Sequence, residues 1–320
     1  MLKKLSIPTI LILAGTVMLF LFPVISDDLY MITVFSIALI YAVYAASWDL
    51  LSGFTGKENF GHAAFIGIGA YMLGFISQSF RIQPYLSIPI AAVLSFVFGV
   101  LIGLPTLRLK GPYFALATLA VASIMEKLTY SFSDITGGED GLYGIEFLTG
   151  DEISSFYFVL IFAVIAILIL YLIGKSNFGL TLKAIKSDDD AARALGIYTD
   201  KFKVMAFGIS AAFAGVAGTI SGHYYSYVGP DIVFPLSLNI IIMCVIGGLG
   251  GIIPAALGGF ALSYLSEMLR DFGDWNQLIY SGILMITVIF LPRGVFNIIG
   301  DFFKKNRNSP VDILSKGVKK

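Results

Sequence analysis

The chain is short of the residues that disulfide-stapled domains, metalloproteins and nucleic-acid binders depend on. It has one cysteine and two histidines in 320 residues. Cys244 stands alone in an apolar run, so no disulfide can form within the chain. His62 and His223 have no cysteine or second histidine at ligand spacing, so neither marks a metal centre. Charged residues are only 13%, and 21 basic residues balance 21 acidic ones, which points to no nucleic-acid partner. No carboxylate pair or nucleophile–base set falls within the apolar runs, which argues against a membrane-embedded enzyme.

What is abundant is apolar. Hydrophobic residues are 57%, with 27 Phe and 16 Tyr, and the mean hydropathy is +0.87. Apolar runs of about 18 or more residues recur, each long enough to cross a bilayer core of roughly 30 Å as a helix. In lipid the backbone must satisfy its own hydrogen bonds, which leaves helical bundles and closed barrels. The runs are continuous rather than alternating, so the chain reads as all-α, a polytopic membrane helical bundle. The hydropathy predicts ten spans: 7–25, 30–51, 62–80, 86–107, 112–130, 153–174, 204–223, 236–249, 252–269 and 276–292. The segment behind Lys3 and Lys4 is longer than a signal h-region and lacks an A-x-A-like site, so it reads as a retained first span.

The distribution of cations tests this count. With the N-terminus in the cytoplasm and ten crossings, only Arg81, Lys127 and Arg270 of the 21 Lys and Arg residues fall outside. The six-cation loop 175–203 falls inside. Both termini are then cytoplasmic. The expected organisation is a membrane domain over 1–303, with an outer loop at 131–152 and a cytoplasmic loop at 175–203. A basic tail follows at 304–320, whose lysines suit either anionic lipid or a solvated segment.

The chain has 34 glycines, many of them in the spans, as in GIGAYMLG (67–74), GVAGTISG (215–222) and GGLGGIIPAALGG (247–259). Small residues let membrane helices approach closely. The third cluster also carries Pro254, and its residues 247–251 predict a helix break or re-entry at depth. HAAFIGIGAY (62–71) and SAAFAGVAGT (210–219) share AAF and two glycines, which is near chance in so Ala- and Gly-rich a chain. Gly247, Gly248 and Gly250 are candidates to line a translocation path, and so are Asp49, His62, Tyr113, Thr118 and Asn239. The uncharged polar members could equally hydrogen-bond a neighbouring helix. A charge at helix centre costs about 2.5–3.5 kcal/mol on insertion scales. Asp49 is expected at the cytoplasmic edge of its span, in an interfacial or gating role.

Two glycine motifs fail as nucleotide sites. GFTGK (53–57) resembles the end of a P-loop, but the pattern needs glycine at 51 and a hydroxyl at 58, where the chain has Leu51 and Glu58. TGGEDG (136–141) opens no helix of a βαβ unit. No cofactor is expected on this chain.

Between two apolar stretches lies KSNFGLTLKAIKSDDDAARALGIYTDKFK (175–203). Ser187 is a suitable N-cap, and Asp188, Asp189 and Asp190 suit the positive end of a helix dipole. Ala191 and Ala192 follow, Arg193 and Ala194 lie in the last turn, and Leu195 precedes Gly196 at the usual C′ position. Leu180, Ala184, Ser187, Ala191 and Leu195 would share one face of a wider helical pattern. A cap adds only about 1 kcal/mol, and isolated helices below roughly 12–15 residues are marginal in water. The body of the protein or a partner must therefore hold this helix. The alternative is a solvated connector.

Five stretches resemble one family. They are SWDLLSGFTGKENFGHAAFIGIGAYM (47–72), LRLKGPYFALATLA (107–120), TGGEDGL (136–142), the long block 178–230 containing SDDDAARALGIYTDKFK, and IGGLGGIIPAALGG (246–259), closed by LPRG (291–294). The chain resembles the membrane permease subunits of ABC importers for branched-chain amino acids, of the LivM-like type. The resemblance implies that Ser187 through Gly196 form a coupling helix that docks on a separate ATPase. It also implies a homologous LivH-like permease partner, two ATPase subunits that use ATP, an extracytoplasmic binding protein for Leu, Ile or Val, and residence in the cytoplasmic (inner) membrane. Lys57, Glu58 and Asn59 replace an uncharged run of the family, and Asp49 stands where an amide is common. Urea or another small amide is the alternative solute. An ion-coupled secondary transporter is the alternative class, and it would want ionisable groups deep in the bundle.

Overall fold

A computed structural model describes residues 7–26, 28–80, 83–109, 111–230, 234–291 and 294–298. The apolar runs fold as helices whose ends have local causes. Helix α1 is Ile7–Ile25, α2 Leu29–Thr55, α3 His62–Phe80, α4 Pro84–Thr106 and α5 Pro112–Ser131, followed by a single turn, α6, at Ser133–Thr136. Asp28 caps α2 by accepting from the Tyr30 and Met31 amides at 3.1 and 3.3 Å. Gly56, at φ 72°, ends it in the left-handed conformation that favours glycine. Pro84 and Pro112 open α4 and α5 where a missing N–H costs nothing.

Beyond the outer loop come α7 (Glu152–Lys175), α8 (Asn177–Ser187), α9 (Asp189–Ala194) and α10 (Thr199–Tyr225). Then follow α11 (Phe234–Gly247), α12 (Ile252–Met268), a 3₁₀ segment at Arg270–Trp275 and α13 (Asn276–Phe290). Every expected span thus has a helix at its position. Four helices, Leu29–Thr55, Pro84–Thr106, Glu152–Lys175 and Thr199–Tyr225, are each long and apolar enough to cross a membrane. The α11–α12 pair makes a fifth candidate, bent by 118° at the glycine cluster, so the expected break at 247–251 is present. The tail 304–320 lies outside the described residues, as do Lys3, Lys4, Arg81, Lys110 and Arg293.

Helix α2 is the axis of the bundle, with buried residues on all its faces from Ile32 to Thr55. Helices α7, α10, α11 and α12 pack around it, and α10 also packs on α3 and α4. The small residues permit this. A Cβ on Gly69 would overlap the Gly215 carbonyl, and one on Gly218 would overlap the Ile66 carbonyl. The Thr219 hydroxyl donates to the Gly69 carbonyl at 2.9 Å across the same seam. Backbones this close gain the dispersion that drives helix association in lipid. Helix α7 instead turns Ile161, Ile165, Leu168 and Leu172 outward, an apolar face fit for lipid.

One element has no counterpart in the hydropathy. Leu142–Tyr143 (β1) pairs antiparallel with Tyr227–Val228 (β2), tying the 131–152 loop to the end of α10. Two-residue strands carry no periodicity of their own and exist only because the two segments meet.

Candidate functional site

The loop 175–203 is not one helix but two. Asp188 is extended (φ −160°, ψ 108°) and separates α8 from α9. Its Oδ1 accepts from the Ala191 amide at 2.9 Å, so Asp188 is the N-cap, not Ser187. The Ser187 hydroxyl is turned back to the Lys183 carbonyl at 3.1 Å and ends α8 instead. Both residue types can cap, and backbone geometry selects between them. The break interrupts the wider helical pattern, and the residues of the expected shared face, Leu195 included, lie on the exposed side. Gly179, Leu182, Ile185 and Ala192 are buried, while Leu180, Ala184, Ser187 and Ala191 point outward. Gly196 has φ 84°, as its C′ position requires.

Short as it is, α9 is held by the body of the protein. Lys203 of α10 is 2% exposed, and its Nζ meets Asp189 Oδ2 at 2.6 Å. Arg193 forks onto Asp200, with Nη2 2.5 Å from Oδ1 and Nη1 3.2 Å from Oδ2. Burial works against ionisation of Asp189, but the Lys203 ammonium outweighs it and holds the carboxyl below its ordinary range. The pair therefore stabilises the loop at neutral pH, and the effect is lost only as pH falls below that range. Leu195 is 83% exposed and Tyr198 81% exposed, two large, mostly apolar side chains on an otherwise charged segment.

Replacing Asp189 by Asn should strand the buried Lys203 ammonium. Breaking a wholly buried pair costs about 3–5 kcal/mol. Asp189 is partly exposed, so a smaller loss is expected. Limited proteolysis should then cut within 188–198 several-fold faster than in the parent, and an unchanged rate would show that the pair does not hold α9.

Helix α8 reaches the core of the bundle. Lys186 Nζ donates to the Gly53 carbonyl at 2.8 Å, and Lys183 Nζ lies 4.4 Å from the Phe54 ring centroid. One turn earlier, Asp49 is fully buried within the protein. The reason is that α2 runs on to Thr55, and the chain then folds back beneath it. Trp48 Nε1 donates to the Asn59 carbonyl at 2.7 Å, and the Asn59 amide donates to Ser52 Oγ at 3.1 Å. Asp49 Oδ1 accepts from the Gly250 amide at 2.7 Å. Gly248 (φ 124°) and Gly250 (φ 77°) take backbone conformations that suit glycine, and α12 starts two residues later. The carboxylate thus faces the positive end of a 17-residue helix.

The other candidates divide. His62 is buried with Nε2 3.0 Å from Ser47 Oγ. Thr118 is buried, accepts from the Phe60 amide at 3.0 Å and donates to the Ala115 carbonyl at 3.0 Å. Together they fasten the 56–61 turn close to Asp49. Gly247 and Gly248 are buried at the break, against Pro254 and Asn297. Tyr113, 67% exposed, and Asn239, also exposed, lie on the outside of their helices and do not join this cluster. Sequence reasoning missed Lys186, Gly53, Lys203, Tyr198 and Ser47. Only Lys186 had a signal, its i, i+3 spacing from Lys183 on a helix that also buries Leu182 and Ile185. Among the described residues no group of three or more His, Cys, Asp or Glu could hold a metal ion.

A bundle of apolar helices packed through glycine, with a broken helix at its core and a charged loop tied to that break, defines a multi-pass membrane protein of the transporter kind. Residues 30–291 match the family described as branched-chain amino acid transport system, permease component, and the chain belongs to that family. It is 28% identical over 290 residues to the high-affinity branched-chain amino acid transport system permease protein LivM of Salmonella typhimurium, covering 81% of this chain and 68% of the relative. It is 24% identical over 285 residues to BraD of Pseudomonas aeruginosa, covering 80% and 91%. With LivH of Salmonella typhimurium it shares 23% over 279 residues, covering 80% and 90%. No solved structure matches the chain.

Proposed function

We propose that this chain is the LivM-like permease subunit of an ATP-driven ABC importer and forms half of a translocation path for leucine, isoleucine and valine. The observation that carries the reading is the loop. A six-residue helix braced by Lys203 and Asp200 presents exposed Leu195 and Tyr198, a form suited to docking on another protein rather than to connecting two spans. The relatives' names supply the solute class. The match to LivH-type as well as LivM-type permeases supports a pseudo-symmetric pair of one of each. In this reading the chain crosses the cytoplasmic (inner) membrane ten times, with both termini and the 175–203 loop inside. Two ATPase subunits hydrolyse ATP, this chain binds no cofactor, and an extracytoplasmic binding protein delivers the amino acid to the 131–152 side. The tail 304–320 lies against anionic lipid or in solvent.

Asp49 favours a second reading, a proton- or sodium-coupled carrier without an ATPase, because an ionisable group is now deep in the bundle. A mild-detergent pull-down from native membranes separates the two. Recovery of ABC-type ATPases with the chain is expected. A chain that emerges alone and still carries labelled leucine in vesicles without ATP would overturn the importer.

A further inference from the structure

The loop and the helix break are joined through the end of α2. Lys186 Nζ holds the Gly53 carbonyl at 2.8 Å from the α8 side. One turn earlier on α2, the Asp49 carboxylate holds the Gly250 amide at 2.7 Å from the other side. The three backbones are in close register there. A Cβ on Gly53 would overlap the Asp49 carboxylate and lie 2.7 Å from the Gly250 nitrogen. A Cβ on Gly250 would lie 3.2 Å from the Gly53 carbonyl oxygen that Lys186 occupies. A Cβ on Gly56 would lie 3.2 Å from the Lys186 stem. Larger residues at 53, 56 or 250 would force the elements apart.

The electrostatics point the same way. Asp49 Oδ2 is buried and has no hydrogen-bond partner among the described residues, so the Gly250 bond does not by itself offset the lost hydration of the carboxyl group. The remaining compensation comes from the positive end of α12 and from the Lys186 ammonium, both on the far sides of the Gly53 turn. Asp49 and Lys186 thereby hold the break and α8 against the same two turns of α2.

We propose that Lys186 and Asp49 are positioning residues that clamp the last turns of α2 between α8 and the 247–251 break. Displacement of the 175–203 loop is then passed to the broken helix instead of being absorbed by the loop. The inference deepens the importer reading and rests on it for the source of the motion. The clamp itself belongs to this chain alone.

Hydrogen–deuterium exchange on the purified chain in detergent tests it. Peptides covering 247–251 should exchange about ten times faster in Asp49→Asn, which keeps the acceptor shape but loses the charge. Lys186→Met should produce a similar acceleration there, although Lys186 bonds α2 and not the break. Lys186→Arg should restore the native rate, and the double variant should be no faster than either single one. Native exchange at 247–251 in Lys186→Met would overturn the proposal. In vesicles with the partner permease, the ATPase subunits and the binding protein, labelled leucine carried per ATP should fall about fivefold in Lys186→Met and recover in Lys186→Arg. An unchanged ratio would overturn the transmission of motion. Accelerated exchange in a chain with which no ATPase co-purifies would leave the clamp standing and remove the importer.

Discussion

Leu195→Arg together with Tyr198→Glu should abolish uptake while leaving the bundle intact. Both side chains stand almost wholly in solvent, at 83% and 81% exposure, and among the described residues neither makes a hydrogen bond that the change would break. Surface substitutions of this kind usually alter stability by no more than about 0.5 kcal/mol. The charges are chosen to suit the backbone, a cation after the C-terminus of α9 and an anion at the N-terminus of α10. Net charge is unchanged. At a protein interface the same two positions would be its apolar anchors, and losing an anchor of this kind costs about 2 kcal/mol or more. Each is then worth roughly a 30-fold loss of affinity. The ATPase subunits should be absent from the pull-down, and labelled leucine uptake should fall to background. Uptake at the parent rate would mean that this loop is only a connector.

Gly69→Val should be the most damaging change inside the bundle. Its first added carbon would occupy the place of the Gly215 carbonyl, and a backbone atom cannot rotate away as a side chain can. On α10, a Cβ on Gly215 would also overlap Ser95 of α4. Helices α3 and α10 must separate, and the Thr219 bond to the Gly69 carbonyl goes with them. Overpacking of this kind costs about 1–3 kcal/mol, and more where backbone must move. Cys244 supplies the readout. It is fully buried, with Sγ donating to the Ala45 carbonyl at 3.2 Å, so a thiol reagent reaches it only when the bundle opens. The midpoint of its thermal labelling should drop by at least about 5 °C in Gly69→Val. Gly15→Ala and Gly282→Ala, where an added Cβ meets nothing within 4 Å, should match the parent or exceed it. A Gly69→Val midpoint equal to theirs would show that the α3–α10 seam is looser than the backbone distances state.

These two experiments probe different kinds of information. The exposed loop was legible in its own residues, because Asp188–Asp190, Arg193 and Gly196 are local signals that act within a single turn. Even there the cap moved from Ser187 to Asp188, because both side chains can accept the same amide and only the extended backbone at 188 decides. The glycine seam was legible as a tendency. GIGAYMLG and GVAGTISG announce close approach, but nothing in either string says that they approach each other.

Hydropathy and local chemistry by themselves determined the helices and the bend at 247–251, because run length, proline, glycine and capping residues act over a few positions of the chain. Which side chains form the site was decided by tertiary structure. Asp49 meets the Gly250 amide across 201 residues of sequence, and Lys186 meets the Gly53 carbonyl across 133. Tyr113 and Asn239 turn outward because the rotation of α5 and α11 is set by their neighbours. The physical reason is that a polar group in an apolar bundle must find a partner. Composition shows that it needs one, and packing alone shows which one it gets.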